Sequence, residues 1–301
     1  MYKAGFLGVI GQPNAGKSSL VNYLVNEKVS IVTHKPQTTR RRVMGLWSSD
    51  EGQIIFVDAP GVIDADNGLN GFLAKEAKDV MDSSDVILAV VSVDEKSKDD
   101  ALKVIEMVAA SKKPWIGVIT KTDIKEKVHR VLAIKEMIES RGAKALQVSV
   151  KNEDPEEREA LLLEFLQMMP KSDAPLFDPE LFTTENVRDL AAEAIREKCF
   201  EWLEYELPYS VAVRISKFDE NAKPCPKIFA DIIVSKENHK AMVIGKGGSM
   251  LKKIGMDARK EIEKMLGQKV YLELKVQCRE NWFENKRIMK DLGYGIKSDE
   301  L

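Results

Sequence analysis

A glycine-containing motif near the start of the chain restricts its fold more than any other feature. Gly11-Gln-Pro-Asn-Ala-Gly16-Lys17-Ser18 fits the phosphate-binding pattern GxxxxGK[ST], which requires a strand before it and a helix after it. The apolar run 6–10 and the amphipathic stretch 17–25 meet both conditions. The motif therefore predicts an α/β sheet with a polyphosphate at the N-terminus of its first helix. The residues expected to contact that ligand are Gly11, Asn14, Ala15, Gly16, Lys17, Ser18 and Ser19.

The first 170 residues alternate short β-rich runs with amphipathic stretches. This alternation predicts a mostly parallel sheet with helices on both faces, as in P-loop domains. Further strands are predicted at 42–48, 53–58, 86–93, 115–120 and 145–148, and further helices at 69–81, 99–110, 128–140 and 156–169. A polar stretch punctuated by prolines, residues 171–182, is the predicted linker. We assign residues 1–170 to a nucleotide-binding domain and residues 183–301 to a second domain.

The second domain has a different element order and its own glycine loop. The sequence predicts a helix at 185–204, strands at 209–218 and 227–235, a short helix, a longer helix at 249–266 and a last strand at 269–276. Val243-Ile-Gly-Lys-Gly-Gly248 lies between the two adjacent helices and contains the pattern GxxG. This α-β-β-α-α-β order predicts an α+β type II KH domain, a module that binds about four nucleotides of single-stranded RNA.

The glycine loop of the second domain is expected to lie against the sugar–phosphate backbone of an RNA, since it lacks bulk. Lysines on the loop and on the following helix would add positive charge. Ile244 and Ile254 are candidates for the groove floor, with simple core packing as the alternative. The candidate RNA-binding residues are Ile244, Gly245, Lys246, Gly247, Gly248, Lys252 and Lys253.

Charge and cysteine content exclude several classes of protein. The net charge of −2 argues against a generally basic nucleic-acid binder, but residues 236–269 carry nine Lys and Arg against four Asp and Glu. This local patch suits the steering of a polyanion.

Three widely spaced cysteines favour a reducing cytoplasm over a disulfide framework or zinc site. A strand is predicted almost from Met1, and no apolar run approaches the ~18 residues of a membrane span, so we expect neither a signal peptide nor a membrane-spanning segment.

Two loops of the first domain, residues 33–42 and 59–71, are expected to order around the γ-phosphate, and in or beside them lie candidate ligands of the phosphates and of a metal ion. Asp58-Ala-Pro-Gly61 ends a predicted strand, which places the Asp58 carboxylate beside Mg²⁺ and Gly61 at the γ-phosphate. The Ser18 hydroxyl is the first expected Mg²⁺ ligand. Thr39 is the candidate second ligand, with Thr38 as its rival. Lys17, Thr39 and Gly61 are the residues expected to assist catalysis.

Two further segments predict that the base is guanine. Thr120-Lys121-Thr122-Asp123 follows a strand, and a carboxylate at Asp123 can accept hydrogen bonds from both N1–H and the 2-amino group of guanine. Adenine does not offer that pair. Ser149-Val150-Lys151 follows the last strand and would place a backbone N–H near the base oxygen. The four segments in this order predict a GTP site.

The motifs resemble those of the Era family, bacterial GTPases with a C-terminal KH domain that assist small-subunit ribosome assembly. The matching segments, spread over nearly the full length, are GQPNAGKSSLVN, KPQTTRRRV, IIFVDAPGV, REKCFEWLEYELPYSVAV and MVIGKGGSMLKKIGMDARKEIEKMLGQKVYLEL. The resemblance implies slow GTP hydrolysis with Mg²⁺ and binding of the 3′ end of 16S rRNA on the 30S subunit. It also implies a K⁺ ion held by Asn14, which would make Asn14 a further catalytic residue. The resemblance further implies a cytoplasmic monomer, with a peripheral association at the inner membrane left open.

Two residues depart from common GTPase patterns. Val62 stands where Ras-like proteins carry a water-orienting glutamine, so the polar catalytic element must come from elsewhere. Thr120 replaces the usual asparagine, which predicts retained guanine selectivity with weaker affinity. Two other functions stay open at this point. One is a nucleotide-gated RNA chaperone in which hydrolysis is incidental, and the other is a membrane-associated signalling GTPase.

Overall fold

The structure is a computed structural model that describes residues 1–62, 65, 67–95 and 98–294, except the side chain of Lys98. Residues 63, 64 and 66 of the predicted loop 59–71, and the end of the chain from residue 295, lie outside the described residues. The chain divides into two compact units. Unit 1 comprises Met1–Ala65 and Leu73–Thr184, and unit 2 comprises Asp66–Phe72 and Glu185–Leu301.

Unit 1 is built on a six-stranded sheet. The strands are β1 (Lys3–Gly11), β2 (Val43–Ser48), β3 (Gly52–Asp58), β4 (Val86–Ser92), β5 (Trp115–Thr120) and β6 (Ala145–Gln147). Their spatial order is β2-β3-β1-β4-β5-β6, and only the β2–β3 pair in this sheet is antiparallel. The mostly parallel sheet predicted from the sequence is confirmed.

Helices cover both faces of this sheet: α1 (Lys17–Val25), α2 (Gly68–Ser83), α3 (Lys98–Ala110), α4 (His129–Glu139) and α5 (Pro155–Met168). Every residue of β3 and β4 is buried, as expected for strands covered on both sides. Neighbouring strand residues point to opposite faces. Phe56 accordingly packs in one apolar cluster with Leu20 and Phe165, whereas Ile55 packs in another with Val80.

The segment after α5 lies along the same sheet. Thr183 forms an isolated bridge with Gly45 of β2. The side chain of Gln53, fully buried in β3, donates to the Phe177 carbonyl at 2.9 Å and accepts from the amides of Leu176 and Phe177 at 2.9 and 3.0 Å. One buried amide therefore satisfies three backbone groups of a stretch that has no regular secondary structure of its own.

Unit 2 has a three-stranded sheet with helices. Its elements are α6 (Val187–Trp202), β7 (Ala212–Asp219), β8 (Lys227–Val234), α7 (Glu237–Ile244), α8 (Ser249–Leu266), β9 (Tyr271–Cys278) and α9 (Lys286–Asp291). β8 is central, antiparallel to β7 and parallel to β9. Ile195 of α6 and Ile254 of α8 are fully buried in one cluster with Ile232 of β8. Ile254 is therefore a core residue, which settles the alternative left open by the sequence.

The sequence analysis did not predict α9. Asn285 caps its start by accepting from the amides of Arg287 and Ile288 at 3.0 and 3.2 Å. Among the described helices, none has the length and apolar character that crossing a bilayer requires.

Candidate nucleotide site and nucleic-acid interface

The phosphate-binding motif forms the turn between β1 and α1. Gly16 has φ 91° and Asn14 has φ 65°, both left-handed, so the turn folds back on itself before the helix begins. Gly11 ends β1 beside β4, and a Cβ there would come within 2.4 Å of the Val90 carbonyl oxygen. These constraints present the backbone N–H groups of the turn at the N-terminus of α1, where anions bind.

Lys17 lies inside the turn with 6% of its surface exposed. Its Nζ donates to the carbonyl oxygens of Gly11 and Gln12 at 3.0 and 2.9 Å. Burial lowers the pKa of Lys17 to about 8, although the Asp58 and Glu95 carboxylates act in the opposite direction. Among the described residues, only the carbonyls of Gly11 and Gln12 accept hydrogen bonds from Lys17 Nζ, so the lysine is well suited to exchange them for phosphate oxygens.

The three predicted metal ligands meet at one point. Ser18 Oγ donates to Asp58 Oδ2 at 2.6 Å and lies 2.8 Å from Thr39 Oγ1. Asp58 is fully buried, and its Oδ1 has no hydrogen-bond partner among the described residues. Burial raises the pKa of Asp58 against the influence of Lys17 and Ser18. A buried carboxylate with an unpartnered oxygen beside two hydroxyls fits Mg²⁺, which prefers oxygen ligands.

Thr38 is turned toward its own loop. Its hydroxyl bonds to Thr33 Oγ1 at 2.7 Å and to the Lys35 carbonyl at 2.8 Å. Of the two rivals, only Thr39 reaches Ser18. The geometry therefore favours Thr39 over Thr38 as the second metal ligand.

The Asp58-Ala-Pro-Gly61 loop passes directly against the phosphate-binding turn. A Cβ on Gly61 would lie 2.6 Å from the Pro13 nitrogen, so a larger residue does not fit without moving the backbone. The Val62 amide donates to the Gly11 carbonyl at 3.0 Å. Asn14, an exposed residue of the same turn, donates from Nδ2 to the His34 carbonyl at 3.1 Å. The turn thus contacts both loops in which the sequence predicts γ-phosphate contacts.

The base-reading segments also come together. Ser149 Oγ donates to Asp123 Oδ1 at 3.0 Å, and Lys151 Nζ lies 3.4 Å from Asp123 Oδ2. Although burial acts to raise it, these partners hold the pKa of Asp123 below its usual range. Asp123 is therefore a carboxylate at neutral pH, as acceptance of two N–H donors requires. Val150 begins a short 3-10 turn after Ser149, and Lys121 has φ 59° and pairs with Asp94 at 3.7 Å.

Thr120 connects the base-reading segment to the phosphate-binding turn. It is 1% exposed, and its hydroxyl donates to the Ala15 carbonyl at 2.6 Å. A hydroxyl has one hydrogen to donate, so this bond uses its whole donor capacity. The link to the turn is present, but no second donor remains for the base.

Thr120→Asn is expected to tighten GDP binding by about three- to tenfold. An asparagine amide has two donor hydrogens and similar volume, so it can keep the bond to Ala15 and add one to the base, worth about 1 kcal/mol. The check is the rate of GDP dissociation measured by stopped-flow with a fluorescent GDP analogue. Faster dissociation from the asparagine variant would contradict this interpretation of the site.

The GxxG loop of unit 2 joins α7 to α8. Gly245, Gly247 and Gly248 have φ values of 73°, 59° and 78°. A Cβ at Gly247 or Gly248 would meet no atom within 4 Å, so the surrounding space is open to a ligand. Lys246 is exposed at the tip of the loop, and Ile244 is half-buried at its base. Left-handed backbone in open space provides the bare surface that close approach of a sugar–phosphate chain needs.

The two lysines predicted on α8 differ in their surroundings. Lys253 Nζ lies 3.4 Å above the ring of Trp202, whose Nε1 donates to Asp257 at 3.0 Å. Lys252 is exposed and forms no ion pair within the described chain. Both lysines keep their positive charge, but the ammonium of Lys253 is held against Trp202 inside the unit. Lys252 is the better placed of the two to meet an external anion.

Comparisons with known proteins find a family match in each half of the chain. Residues 6–121 match the family described as "50S ribosome-binding GTPase", and residues 206–283 match the KH domain family. The chain is 37% identical over 295 residues to GTPase Era of Syntrophus aciditrophicus (strain SB), covering 98% of this chain and 96% of the relative. It is 38% identical over 296 residues to GTPase Era of Geotalea uraniireducens (strain Rf4), covering 97% and 98%.

Two solved structures match the whole chain. One is a point variant of Era from Aquifex aeolicus bound to GDP and AlF4⁻, with a TM-score of 0.90 and 32% identity. The other is Era in complex with MgGDPNP and nucleotides 1506–1542 of 16S ribosomal RNA, with a TM-score of 0.91 and 33% identity. Each match covers 98% of this chain and 100% of the solved chain.

Proposed function

This chain is a member of the Era family of GTPases, and on that premise we propose that it couples GTP binding and slow hydrolysis in unit 1 to binding of the 3′ end of 16S rRNA by unit 2. The nucleotide in unit 1, GTP or GDP, would set how unit 2 binds the RNA. This coupling would serve as a switch during assembly of the 30S subunit. One observation carries the proposal: a guanine-selective phosphate site and an open GxxG loop occur on a single chain. Era with MgGDPNP and a 16S segment matches that chain along its length.

The nucleotide is held by the residues of unit 1 in distinct roles. Backbone N–H groups of the turn and Lys17 contact the phosphates, and Asp123 accepts from the guanine edge. Ser18, Thr39 and Asp58 hold Mg²⁺, which supplies positive charge to the phosphates when bound. Gly61 places a backbone N–H near the γ-phosphate. Because Val62 has no polar atom in its side chain, the attacking water is oriented by backbone groups of this loop and of residues 33–42.

Hydrolysis is expected to be about tenfold faster in KCl than in NaCl at equal ionic strength. Asn14 donates from Nδ2 to His34, which leaves its Oδ1 as a ligand for a monovalent cation beside the phosphates. K⁺ placed there would neutralise charge that develops on the phosphates. The measurement is single-turnover phosphate release from saturating Mg·GTP in the two salts.

Asn14→Ala is the matching variant for the K⁺ prediction. It is expected to lower the rate in KCl to the level measured in NaCl and to leave the NaCl rate within about twofold. Equal rates of the unsubstituted protein in both salts, or a K⁺ effect that survives the alanine variant, would contradict the role of Asn14.

The RNA is bound by unit 2 through the GxxG loop and α8. Gly245–Gly248 admit the sugar–phosphate backbone, Lys246 and Lys252 pair with phosphates, and Ile244 contributes to the apolar groove for the bases. Ordering of residues 33–42 and 59–71 around the γ-phosphate would alter the presentation of this groove, and hydrolysis would relax it. We infer a monomeric, cytoplasmic protein; co-flotation with anionic lipid vesicles would reveal a membrane-associated form instead.

The experiment is titration of a fluorescent oligonucleotide of the 16S 3′ end with full-length protein, loaded with a non-hydrolysable GTP analogue or with GDP. Gly248→Asp puts a carboxylate against the RNA backbone and should abolish binding. Gly267→Asp is the matched control, since Gly267 also has a left-handed φ of 64° in open space but lies at the far end of α8. Tighter binding in the GTP state, lost only in Gly248→Asp, supports the switch. Equal binding in both nucleotide states refutes the coupling.

A further inference from the structure

Asn22 is a polar residue of unit 1 that the roles above do not use. It lies on α1 four residues after Ser18, so the two side chains project from the same side of the helix. Asn22 is half-buried, and its amide group contacts the first residues of the loop that follows α1. The side of α1 that carries a proposed metal ligand therefore also contacts the segment that leads to Thr39.

The Asn22 side chain forms three hydrogen bonds with two consecutive residues. Its Oδ1 accepts from the backbone N–H groups of Val29 and Ser30 at 3.0 and 2.9 Å, and its Nδ2 donates to the Ser30 carbonyl at 2.7 Å. Both polar groups of the Ser30 backbone are thus bonded to one side chain. We call the contact of Asn22 with Val29 and Ser30 the Asn22 clamp. Because hydrogen bonds are directional, the clamp fixes the direction in which the chain leaves Ser30.

The clamped residues are buried. Val29 and Ser30 are 4% and 3% exposed. Val29 packs in one apolar cluster with Leu20 and Leu24 of α1, which keeps the segment close to the helix. Apolar contact is non-directional, so it does not replace the hydrogen bonds in orienting the backbone. Loss of the clamp would leave buried backbone groups unpaired, and the segment would have to shift to pair them again.

The loop between the clamp and the metal site is braced by its own side chains. Thr33 Oγ1 lies 2.7 Å from Thr38 Oγ1 and accepts from the Lys35 amide at 3.2 Å. The Thr38 hydroxyl donates to the Lys35 carbonyl at 2.8 Å. These bonds close residues 33–38 into a compact turn, and two residues separate this turn from Ser30. A change of backbone direction at Ser30 is therefore passed on to the whole turn.

Thr39, the proposed second metal ligand, follows this turn directly, and its Oγ1 lies 2.8 Å from Ser18 Oγ. α1 thus holds the loop at two places, through Asn22 at its start and through Ser18 at the metal site. We propose that Asn22 is a positioning residue for the metal site: by fixing the chain at Ser30, it brings the Thr39 hydroxyl to the place of a Mg²⁺ ligand. This inference rests on the proposed nucleotide site and on the proposed ordering of the loop around the γ-phosphate.

The contribution of Asn22 to affinity depends on the nucleotide. GDP has no γ-phosphate, so its binding does not require the loop that carries Thr39 to be ordered. GTP requires the ordered loop, and a protein without the clamp has to fix the backbone at Ser30 when GTP binds. This ordering cost lowers the affinity for GTP alone. A residue that only stabilised α1 would change the affinities for both nucleotides together.

The test is the dissociation constant of full-length wild-type protein and Asn22→Leu for a non-hydrolysable GTP analogue and for GDP, both with Mg²⁺. Leucine has a similar volume but forms none of the three hydrogen bonds. The affinity for the analogue should fall about tenfold, as expected for the net loss of about one hydrogen bond, and the affinity for GDP should stay within about twofold. Thermal denaturation of the nucleotide-free protein checks that the variant is folded.

A second variant keeps the test decisive if leucine does not fold at this position. Asn22→Ala leaves room for water at the amides of Val29 and Ser30, and it should show the same selective loss for the analogue. Amide hydrogen exchange reads the clamp directly. With the analogue bound, the two amides should exchange faster in Asn22→Ala than in wild type, because no side chain accepts from them.

Two further variants test whether Asn22 acts through Thr39. Thr39→Ala removes the hydroxyl itself and should weaken binding of the analogue about tenfold. The double variant Asn22→Leu, Thr39→Ala should then bind the analogue within about twofold of Thr39→Ala, whereas independent effects would multiply to about a hundredfold. Asn26→Gly is the matched control. It removes the asparagine after α1 that accepts from Arg158, glycine keeps the left-handed φ of 61°, and the variant should behave as wild type.

The outcomes separate the inference from the proposed function. A loss confined to the GTP analogue, with no further loss in the double variant, supports the positioning role of Asn22. Equal losses for both nucleotides, no loss for either, or a double variant weakened about a hundredfold overturns it. Unimpaired binding of the analogue by Thr39→Ala would instead contradict the proposed metal site. Failure of the wild-type protein to bind GDP would contradict the proposed nucleotide site as a whole.

Discussion

Lys17→Met is expected to slow single-turnover GTP hydrolysis by about 100- to 1,000-fold. Lys17 is the one buried cation within the phosphate-binding turn, and it can follow the charge that develops on the β/γ oxygens. Loss of a single preorganised donor to such charge costs about 3–4 kcal/mol in the transition state. The measurement is phosphate release from saturating Mg·GTP, so that weaker binding does not hide the effect on the chemical step.

The stability of the same variant separates a catalytic loss from unfolding. Burial disfavours the charged form of Lys17, since it lowers the pKa of the group to about 8. Methionine keeps the length of the side chain without the charge, so the nucleotide-free variant should melt no earlier than wild type at pH 7. Lys135→Ala, which removes a lysine whose side chain is 42% exposed and paired with Glu139, is the control for a general charge effect. An unchanged rate in Lys17→Met would refute the assigned role.

Strand ends are the part of the site that sequence reasoning locates well. Asp58 and Thr120 each end a parallel strand, and Ser149 follows another shortly after its end. Parallel strands in one sheet bring their carboxyl ends to one edge, so motifs there converge whatever the strand order. The order β2-β3-β1-β4-β5-β6 was not deducible from the sequence, because it depends on how the helices cross the sheet. Prediction of the site did not require knowledge of the strand order.

Choices between neighbouring residues depended on tertiary geometry. Thr38 and Thr39 are the same residue type in adjacent positions, and only the course of their loop brings Thr39 to Ser18. Lys252 and Lys253 are likewise equivalent in sequence, but the pairing of Lys253 with Trp202 joins elements about fifty residues apart. Periodicity and charge counts do not contain such pairings.

The sequence analysis missed α9 and the burial of Glu95, although the sequence near each of them contains a weak local signal. Asn285 is a good helix N-cap residue, but the short α9 that follows has few apolar residues and no marked periodicity. Glu95 follows a fully buried strand at the ligand edge, where a carboxylate is informative only once its burial is known. In both cases residues distant in the sequence provide the packing that decides whether the helix forms or the carboxyl group is buried.

Trp282→Ala is expected to lower the free energy of unfolding of unit 2 by about 3–5 kcal/mol. The indole is fully buried, donates from Nε1 to the Ser210 carbonyl at 2.8 Å and stacks on Tyr294 with ring centroids 5.6 Å apart. Truncation removes the ring contacts, creates a cavity and leaves a buried carbonyl without its donor. Denaturation followed by far-UV circular dichroism measures the loss.

Trp282→Phe divides this loss into two parts, since it keeps an aromatic ring without the N–H. It should be destabilised by about 1–3 kcal/mol, less than the alanine variant.

The same pair of variants decides between a packing residue and a base-stacking platform. An indole with no exposed surface has no face to offer an RNA base, so the affinity of the phenylalanine variant for the 16S oligonucleotide should equal that of wild type under conditions in which it is folded. A large loss of RNA affinity at unchanged stability would show that Trp282 leaves its buried position to meet the base.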